Sequence, residues 1–156
     1  IAKKGKIDEH LVRKLHSILM NGIRSDAGLY RGHAVRITGV NLPTANYLWV
    51  PDLMPAVIAL GKKRSKDIIN VSAQVHSRFE QIHPFSDGNG RVGRLLMNAM
   101  FLKANLAPAI IRQEQKRLYY AYLYKAQTKG DHSQLENFLC DAVTDGFKIL
   151  ERVDIR

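Results

Sequence analysis

The chain has 156 residues, 46% of them apolar, which suits one domain with a single hydrophobic core and leaves little room for a second. Lysine and arginine total 24 against 14 acidic residues, so a net charge of +10 should attract polyanions such as nucleotides or nucleic acid. The lone cysteine, Cys140, excludes an intramolecular disulfide, and no stretch is apolar enough to span a bilayer. We expect a cytoplasmic protein with no membrane contact, and the start at Ile1 rather than Met leaves open that the domain was excised from a longer chain.

Helical spacing of apolar residues accounts for most of the chain. Asp8 can cap a first helix that Gly22 would end, and Pro51 suits the first position of a second. The predicted helices cover residues 8–21, 51–61, 66–82, a segment from about 90 to 105, 113–129 and 133–153. Between 28 and 46 the spacing changes to alternation around Val35 and Ile37, followed by glycine and proline, which predicts a short β-hairpin. The sequence therefore predicts an all-α bundle with one small hairpin.

Between two of these helices lies the segment HPFSDGNGRVGR, residues 83–94, whose residue types suit a polyphosphate. Pro84 disfavours helical geometry at His83, so the histidine should leave the preceding helix and face the loop. Gly88 and Gly90 allow backbone conformations in which successive N–H groups turn inward as an anion-binding nest. The next helix begins there, and its N-terminus favours phosphate.

Charged side chains complete the pattern. Arg91 and Arg94 fall on one helix face and can each grip phosphate oxygens with a forked guanidinium. Asp87 can serve Mg²⁺, which needs one or two protein carboxylates beside phosphate oxygens and water. Each feature alone is commonly structural, but together they indicate one ligand. The apolar Phe85 is expected to pin the loop to the core.

The segment resembles the signature of the Fic family, HPFx(D/E)GNGRxxR, and matches every specified position from His83 to Arg94. LYRGHAVRITG at 29–39 resembles the family's flap region, and RLLMN at 94–98 its helix after the motif. The resemblance implies one Fic domain over 1–156, with a core at about 8–150, and the family's all-α bundle with a small β-hairpin flap.

The resemblance also implies an activity: a protein adenylyltransferase that transfers AMP from ATP, with Mg²⁺, to a Ser, Thr or Tyr hydroxyl of a target protein. His83 would be the general base, and Arg91 would assist catalysis. Asp87 would hold the Mg²⁺ that bridges the α- and β-phosphates. The residues implied to bind the nucleotide are Gly88, Asn89, Gly90, Arg91 and Arg94.

The flap is expected to bind an extended stretch of the target by strand addition. Its predicted residues are Val35, Arg36, Ile37, Thr38, Gly39 and Val40. Tyr119, Tyr120 and Asn98 are candidates for the adenine pocket by resemblance, although aromatic residues on a helix more often belong to a core. The other histidines, His16 and His76 among them, lack the spacing of a metal site.

Several alternatives stay open at this point. Doc-type kinases, which transfer the γ-phosphate, resemble this fold but carry Lys where this chain has Gly90. The glycine therefore argues against a kinase of this type. Fic proteins with the same motif use UTP or CDP-choline, and nothing in the sequence excludes them. A basic nucleic-acid-binding module would explain the +10 charge but not residues 83–94, so a nucleic-acid partner is not expected.

Many Fic proteins are restrained by an inhibitory helix bearing (S/T)xxxE(G/N), whose Glu pairs with the second motif arginine, here Arg94. The sequence 1–156 contains no match, since Glu136 and Asn137 follow His132 where Ser or Thr is required. We expect the helix either in cis, outside this chain, or in trans from an antitoxin partner.

Overall fold

The computed structural model describes residues 5–39, 41–63 and 65–154. Within these ranges the chain is all-helical, which confirms the predicted fold class. The six α-helices are α1 (Glu9–Met20), α2 (Val50–Lys62), α3 (Ile68–Ile82), α4 (Asn89–Lys103), α5 (Lys116–Lys129) and α6 (Ser133–Asp154). No helix in these ranges is both long and apolar enough to cross a membrane.

The helix ends follow the residue types that the sequence supplies. Asp8 caps α1 by accepting the Leu11 N–H at 2.9 Å, and Asp67 caps α3 by accepting the Asn70 N–H at 2.9 Å. Gly130 ends α5 with φ of 66°, a left-handed conformation that costs glycine little. These local signals explain why the predicted helix boundaries agree with the structure to within a few residues.

Helix α3 lies at the centre of the bundle and packs against α2, α4, α5 and α6, while α1 packs against α2 and α4. Two apolar clusters form the core on either side. One cluster lies among helices α1, α2, α3 and α4 and contains Val12, Met54, Phe79, Phe85 and Leu96. The other joins α3 and α4 to α5 and α6 and contains Met97, Phe101, Tyr119, Leu135 and Leu139. The loop that follows α3 is thus attached to the most enclosed helix of the fold.

The predicted β-hairpin is wrong for the part of this segment that the structure describes. Residues 31–37 and 41–46 have no regular secondary structure, and the turn lies at Thr38 and Gly39; Val40 lies outside the described residues. The two limbs meet through a side chain instead, because the Thr44 hydroxyl donates to the Val35 carbonyl at 3.0 Å. An isolated two-stranded ribbon is marginal in water, which explains why alternation alone does not produce strands here.

Candidate active site

The loop between α3 and α4, residues 83–88, begins with a sharp turn. His83 has φ of 55° and ψ of 61°, and its N–H donates to the Phe79 carbonyl at 2.9 Å. The prediction that Pro84 forces His83 out of the helix is confirmed. A residue with a Cβ is strained in this left-handed conformation, so neighbouring contacts must hold it in place.

Arg31 supplies that support from below the loop. Its guanidinium donates to the carbonyls of His83 at 2.7 Å and Ile82 at 3.3 Å, which are left unpaired where α3 ends. It also donates to the carbonyls of His33 at 2.7 Å and Ala45 at 2.5 Å, and its own N–H donates to Pro84. Arg31 is buried, and burial lowers its pKa. This one side chain therefore ties the end of α3 to both limbs of the 31–45 segment.

Asn89 closes the loop around Phe85. Its side-chain oxygen accepts the Phe85 N–H at 2.8 Å, and its side-chain amide donates to the Phe85 carbonyl at 2.8 Å. The Phe85 ring is fully buried and stacks on the His16 ring, with centroids 3.8 Å apart. The expectation that Phe85 pins the loop to the core is confirmed. The Asn89 side chain is buried and both of its polar atoms are engaged, so its backbone N–H is the group available to a ligand.

His16, on α1, holds the other end of the loop. Its Nε2 donates to the Asp87 carbonyl at 3.1 Å, and its Nδ1 accepts the Gly28 N–H at 2.8 Å. These bonds require the neutral ring, and burial lowers the pKa of His16 in agreement with them. Sequence reasoning missed His16 and Arg31 as parts of the site. The one available signal for His16 is its helical spacing with the buried Val12 and Met20, which places it on the inner face of α1.

The His83 imidazole has one nitrogen engaged and one free. Nδ1 lies 3.1 Å from the Glu80 carbonyl, to which it can only donate, so Nε2 carries the lone pair. Burial lowers the pKa of His83, opposed by the hydrogen bond to Glu80 and assisted by the Arg31 cation. The ring is therefore neutral at physiological pH, which is the state that a general base requires.

The start of α4 presents a row of backbone donors. Gly88 caps the helix with φ of 78°, a conformation that glycine tolerates and other residues seldom do. In the described part of the chain, no carbonyl or side chain accepts the N–H groups of Asn89, Gly90 and Arg91. These three donors and the positive end of the helix dipole form an anion site directly after the loop that carries His83.

The charged residues of the motif surround this helix start. Asp87 and Arg91 are both about half exposed, with an oxygen and a nitrogen 3.7 Å apart, and the Asp87 carboxylate also accepts the Gly88 N–H at 2.6 Å. A terminal nitrogen of Arg94 lies 3.4 Å from the point that a Cβ at Gly90 would occupy, so the Arg94 side chain reaches back along the first turn. The structure thus brings the predicted phosphate-binding and metal-binding residues together.

The donor set around Asp87 suits magnesium only together with a phosphate. The described residues contain no group of three or more His, Cys, Asp or Glu side chains that could hold a metal. A single exposed carboxylate beside unpaired N–H groups fits an ion that takes most of its oxygen ligands from a polyphosphate and water. Asp87 is the residue that would hold it.

Two of the three adenine-pocket candidates have structural roles. Tyr119 is buried and hydrogen-bonds to His76, and the Asn98 side chain exchanges two hydrogen bonds with the Ala109 backbone, at 2.8 and 3.2 Å. Tyr120 is half exposed and packs on Tyr119, with ring centroids 5.1 Å apart. Of the three, Tyr120 alone presents a free ring surface.

Sequence comparison places the chain in a family. The sequence model of the Fic/DOC family matches residues 6–101, which include α1 to α3, the whole loop and most of α4. The chain belongs to the Fic/DOC family. Protein adenylyltransferase Fic from Aedes aegypti is 41% identical over 73 residues, which cover 47% of this chain and 14% of that protein. The chain therefore spans about one seventh of the length of such curated relatives.

Solved Fic structures share the fold. Fic-1 from C. elegans matches 96% of this chain and 45% of that chain, with a TM-score of 0.81 and 22% identity. A Fic family protein from Desulfovibrio desulfuricans G20 matches 96% of this chain and 49% of that one, with a TM-score of 0.78 and 27% identity. BepC from Bartonella tribocorum, solved with bound AMPPNP, matches 88% of this chain and 74% of that one, with a TM-score of 0.72 and 18% identity. The helical bundle of this chain is the Fic fold.

Proposed function

We propose that this Fic domain is a protein adenylyltransferase, which transfers AMP from ATP to a hydroxyl side chain of a target protein. The observation that carries the proposal is the turn from α3 into α4. It places a neutral histidine, with one ring nitrogen held by α3, in the short loop that leads directly to an unpaired row of helix N–H donors. A base held next to an anion site is what hydroxyl attack on a phosphate requires.

The proposed chemistry follows from these groups. Nε2 of His83 takes the proton of the acceptor hydroxyl, whose oxygen attacks the α-phosphorus of ATP. A new P–O bond forms to the acceptor, the bond between the α-phosphorus and the bridging oxygen breaks, and pyrophosphate leaves. The N–H groups of residues 89–91 stabilise charge on the phosphate oxygens without having to reorganise.

The charged side chains bind the leaving part of the nucleotide. Arg91 and Arg94 are placed to bind the outer phosphates as forked donors. Mg²⁺, when held by Asp87 and the phosphates, neutralises charge on the polyphosphate. We expect both arginines to contribute to nucleotide affinity, and Arg91 also to the rate, because it lies next to Asp87.

AMP transfer is favoured over phosphate transfer by two facts. The curated relatives are named protein adenylyltransferase, and Gly90 stands where the kinase-type relatives carry Lys. A side chain at 90 would start 3.4 Å from the Arg94 guanidinium, so a lysine would set a second cation against that arginine. The target protein is proposed to bind along residues 35–40 as an added strand, since residues 36–39 make no backbone–backbone hydrogen bond to the other described residues.

Regulation is proposed to act through Arg94. An inhibitory helix, supplied in cis by sequence outside this chain or in trans by an antitoxin, would pair its Glu with Arg94 and displace the outer phosphates. A peptide of that helix should suppress AMP transfer by the wild-type chain. Equal suppression of Arg94→Ala would contradict this part of the proposal.

Labelled ATP tests the function directly. The chain is incubated with Mg²⁺ and either α-labelled or γ-labelled ATP, in the presence of lysate proteins, and protein-bound label is measured. We expect α-label on protein that His83→Ala abolishes and that His10→Ala, an exposed histidine on α1, retains. Label from the γ-position alone would establish a kinase instead, and α-label that is equal in His83→Ala would refute the role of the histidine.

A further inference from the structure

A buried carboxylate lies directly beneath the candidate base. Glu80 belongs to the last turn of α3 and is 6% exposed, although acidic side chains are rarely buried without a partner. Its Oε1 is buried and has no hydrogen-bond partner among the residues that the structure describes. A buried polar atom left unpaired costs free energy and calls for an explanation in the chemistry of the site.

The other carboxylate oxygen faces His83. Oε2 of Glu80 lies 4.0 Å from Nδ1 of His83, and the backbone carbonyl of the same glutamate accepts from that nitrogen at 3.1 Å. One residue therefore supplies the hydrogen-bond acceptor of Nδ1 and places a carboxylate oxygen near the same side of the ring. The hydrogen bond to the carbonyl keeps the proton on Nδ1, and a carboxylate at this distance favours a positive charge on the ring.

Gly93 makes room for this arrangement. A Cβ at position 93 would stand 2.3 Å from Oε1 of Glu80 and 3.1 Å from the His76 ring. Any side chain at 93 would therefore displace the carboxylate. The Fic signature leaves this position unspecified, so the glycine is explained by Glu80 rather than by phosphate binding.

The surroundings of Glu80 affect whether its side chain is charged. Burial raises its pKa to about 7, opposed by the nearby Arg94 cation. His76, which bonds to Tyr119 beside it, is neutral because burial lowers its pKa to about 4, and burial raises the pKa of Tyr119. Burial also lowers the pKa of His83, which Arg31 and Asp87 face from the other side. The carboxylate of Glu80 and the ring of His83 lie close enough for the charge of one to affect the protonation of the other.

We propose that the buried carboxylate of Glu80 is a positioning residue for His83, which fixes the ring with Nδ1 protonated and balances the positive charge that the ring acquires. The catalytic part of this inference rests on the proposed function. In that reaction Nε2 gains the proton of the acceptor hydroxyl, Nδ1 keeps its own, and the resulting imidazolium lies beside an ionised Glu80. The role proposed for the backbone N–H groups at the start of α4 stays the same.

NMR of the ligand-free chain tests the pairing of Glu80 with His83 without a measurement of enzymatic activity. Ring ¹⁵N shifts of His83, assigned by loss of the signals in His83→Ala, are followed over pH. We expect the Nδ1–H tautomer in the wild type, and in Glu80→Gln a titration midpoint lower by about one unit, a tenfold change in proton affinity. Gly93→Ala should move the midpoint in the same direction, because its methyl group displaces Oε1. Glu136→Gln, a half-buried glutamate that accepts from Asn70, is the matched control and should not move it.

Transfer of α-label supplies the second arm. In Glu80→Gln we expect kcat to fall between about tenfold and a hundredfold, less than a whole general base contributes, while the KM for ATP stays within about twofold. Glu136→Gln should match the wild type in both. An unchanged His83 titration in Glu80→Gln, or an unchanged kcat, overturns the proposal. If the wild type transfers no label, the proposed function fails, and the NMR titration still decides whether Glu80 pairs with His83.

Discussion

The loop at 83–88 and the segment at 31–45 lie side by side but are held very differently. Every turn of the loop is fixed by a buried polar side chain: Arg31 holds its start, Asn89 its middle and His16 its end. The 31–45 segment is tied at its base by Arg31 and at one rung by Thr44, and most of its described residues between these points are exposed.

This contrast follows from what each region is proposed to bind. A polyphosphate is small and highly charged, so donors that are already in place avoid the cost of ordering them on binding. A target polypeptide can itself supply the missing strand, so the segment that receives it needs free backbone groups more than rigidity. Three substitutions and one change of pH test this contrast, and they follow in order of decreasing expected effect.

Arg31→Met should have the largest effect, because it removes the donors to four carbonyls and leaves those of His83 and Ile82 beneath the loop without a partner. We expect a loss of about 5 kcal/mol in the free energy of unfolding, measured by urea denaturation. Arg13→Met, whose cation lies over the Tyr30 ring 4.3 Å from its centroid, is the control and should cost about 1 kcal/mol. Comparable losses in the two variants would mean that Arg31 is not the common anchor.

Asn89→Ala should come next, and it has a matched partner in Asn98→Ala. Both asparagines lie on α4 and exchange two hydrogen bonds with the backbone of a residue outside that helix, Phe85 in one case and Ala109 in the other. Each substitution should cost about 3 kcal/mol of stability. Mg-ATP affinity, measured by calorimetry, should fall only in Asn89→Ala. Equal affinity in the two variants would show that the loop does not depend on this closure.

Acidification should weaken the core next to the loop. Burial lowers the pKa of His76 to about 4 from the 6.5 expected in the unfolded chain, so the unfolded state takes up the proton first. Stability from this group is complete above pH 6.5 and should decline by up to about 3 kcal/mol as the pH falls towards 4. Denaturation of His76→Gln across this range should show a shallower slope. The same slope in both proteins would exclude His76 as the cause.

Thr44→Val should have the smallest effect on the fold. It removes one partly buried hydrogen bond between the limbs of the 31–45 segment, worth about 1 kcal/mol or less. ATP affinity should not change, whereas transfer of α-label to target proteins should fall. A loss of ATP affinity in this variant would show that the 31–45 segment also contributes to nucleotide binding, contrary to this account.

The sequence predicted most of the fold because its helix signals are local. Asp8, Asp67, Pro51 and Gly130 each act within one turn of the chain, and the helices begin and end near them. The hairpin prediction failed because a strand depends on a partner, and alternation around Val35 and Ile37 does not provide one.

The site divides in the same way. The turn at His83 and the glycine at the start of α4 were predictable from neighbours in the chain. The roles of His16 and Arg31 were not, because their partners at Asp87 and His83 are 71 and 52 residues away. For Asn89 the motif predicted a nucleotide-binding residue but did not indicate that its side chain binds the Phe85 backbone and so shapes the loop.

The central claim is that the N–H groups at the start of α4 hold the nucleotide. Backbone ¹⁵N–¹H spectra of the chain, recorded while Mg-ATP is added, test it most directly. The amide signals of Asn89, Gly90 and Arg91 should shift most, and they should shift equally in His83→Ala, whose histidine serves the reaction rather than binding. Shifts that fall elsewhere on the bundle and leave these three amides unmoved would contradict the account.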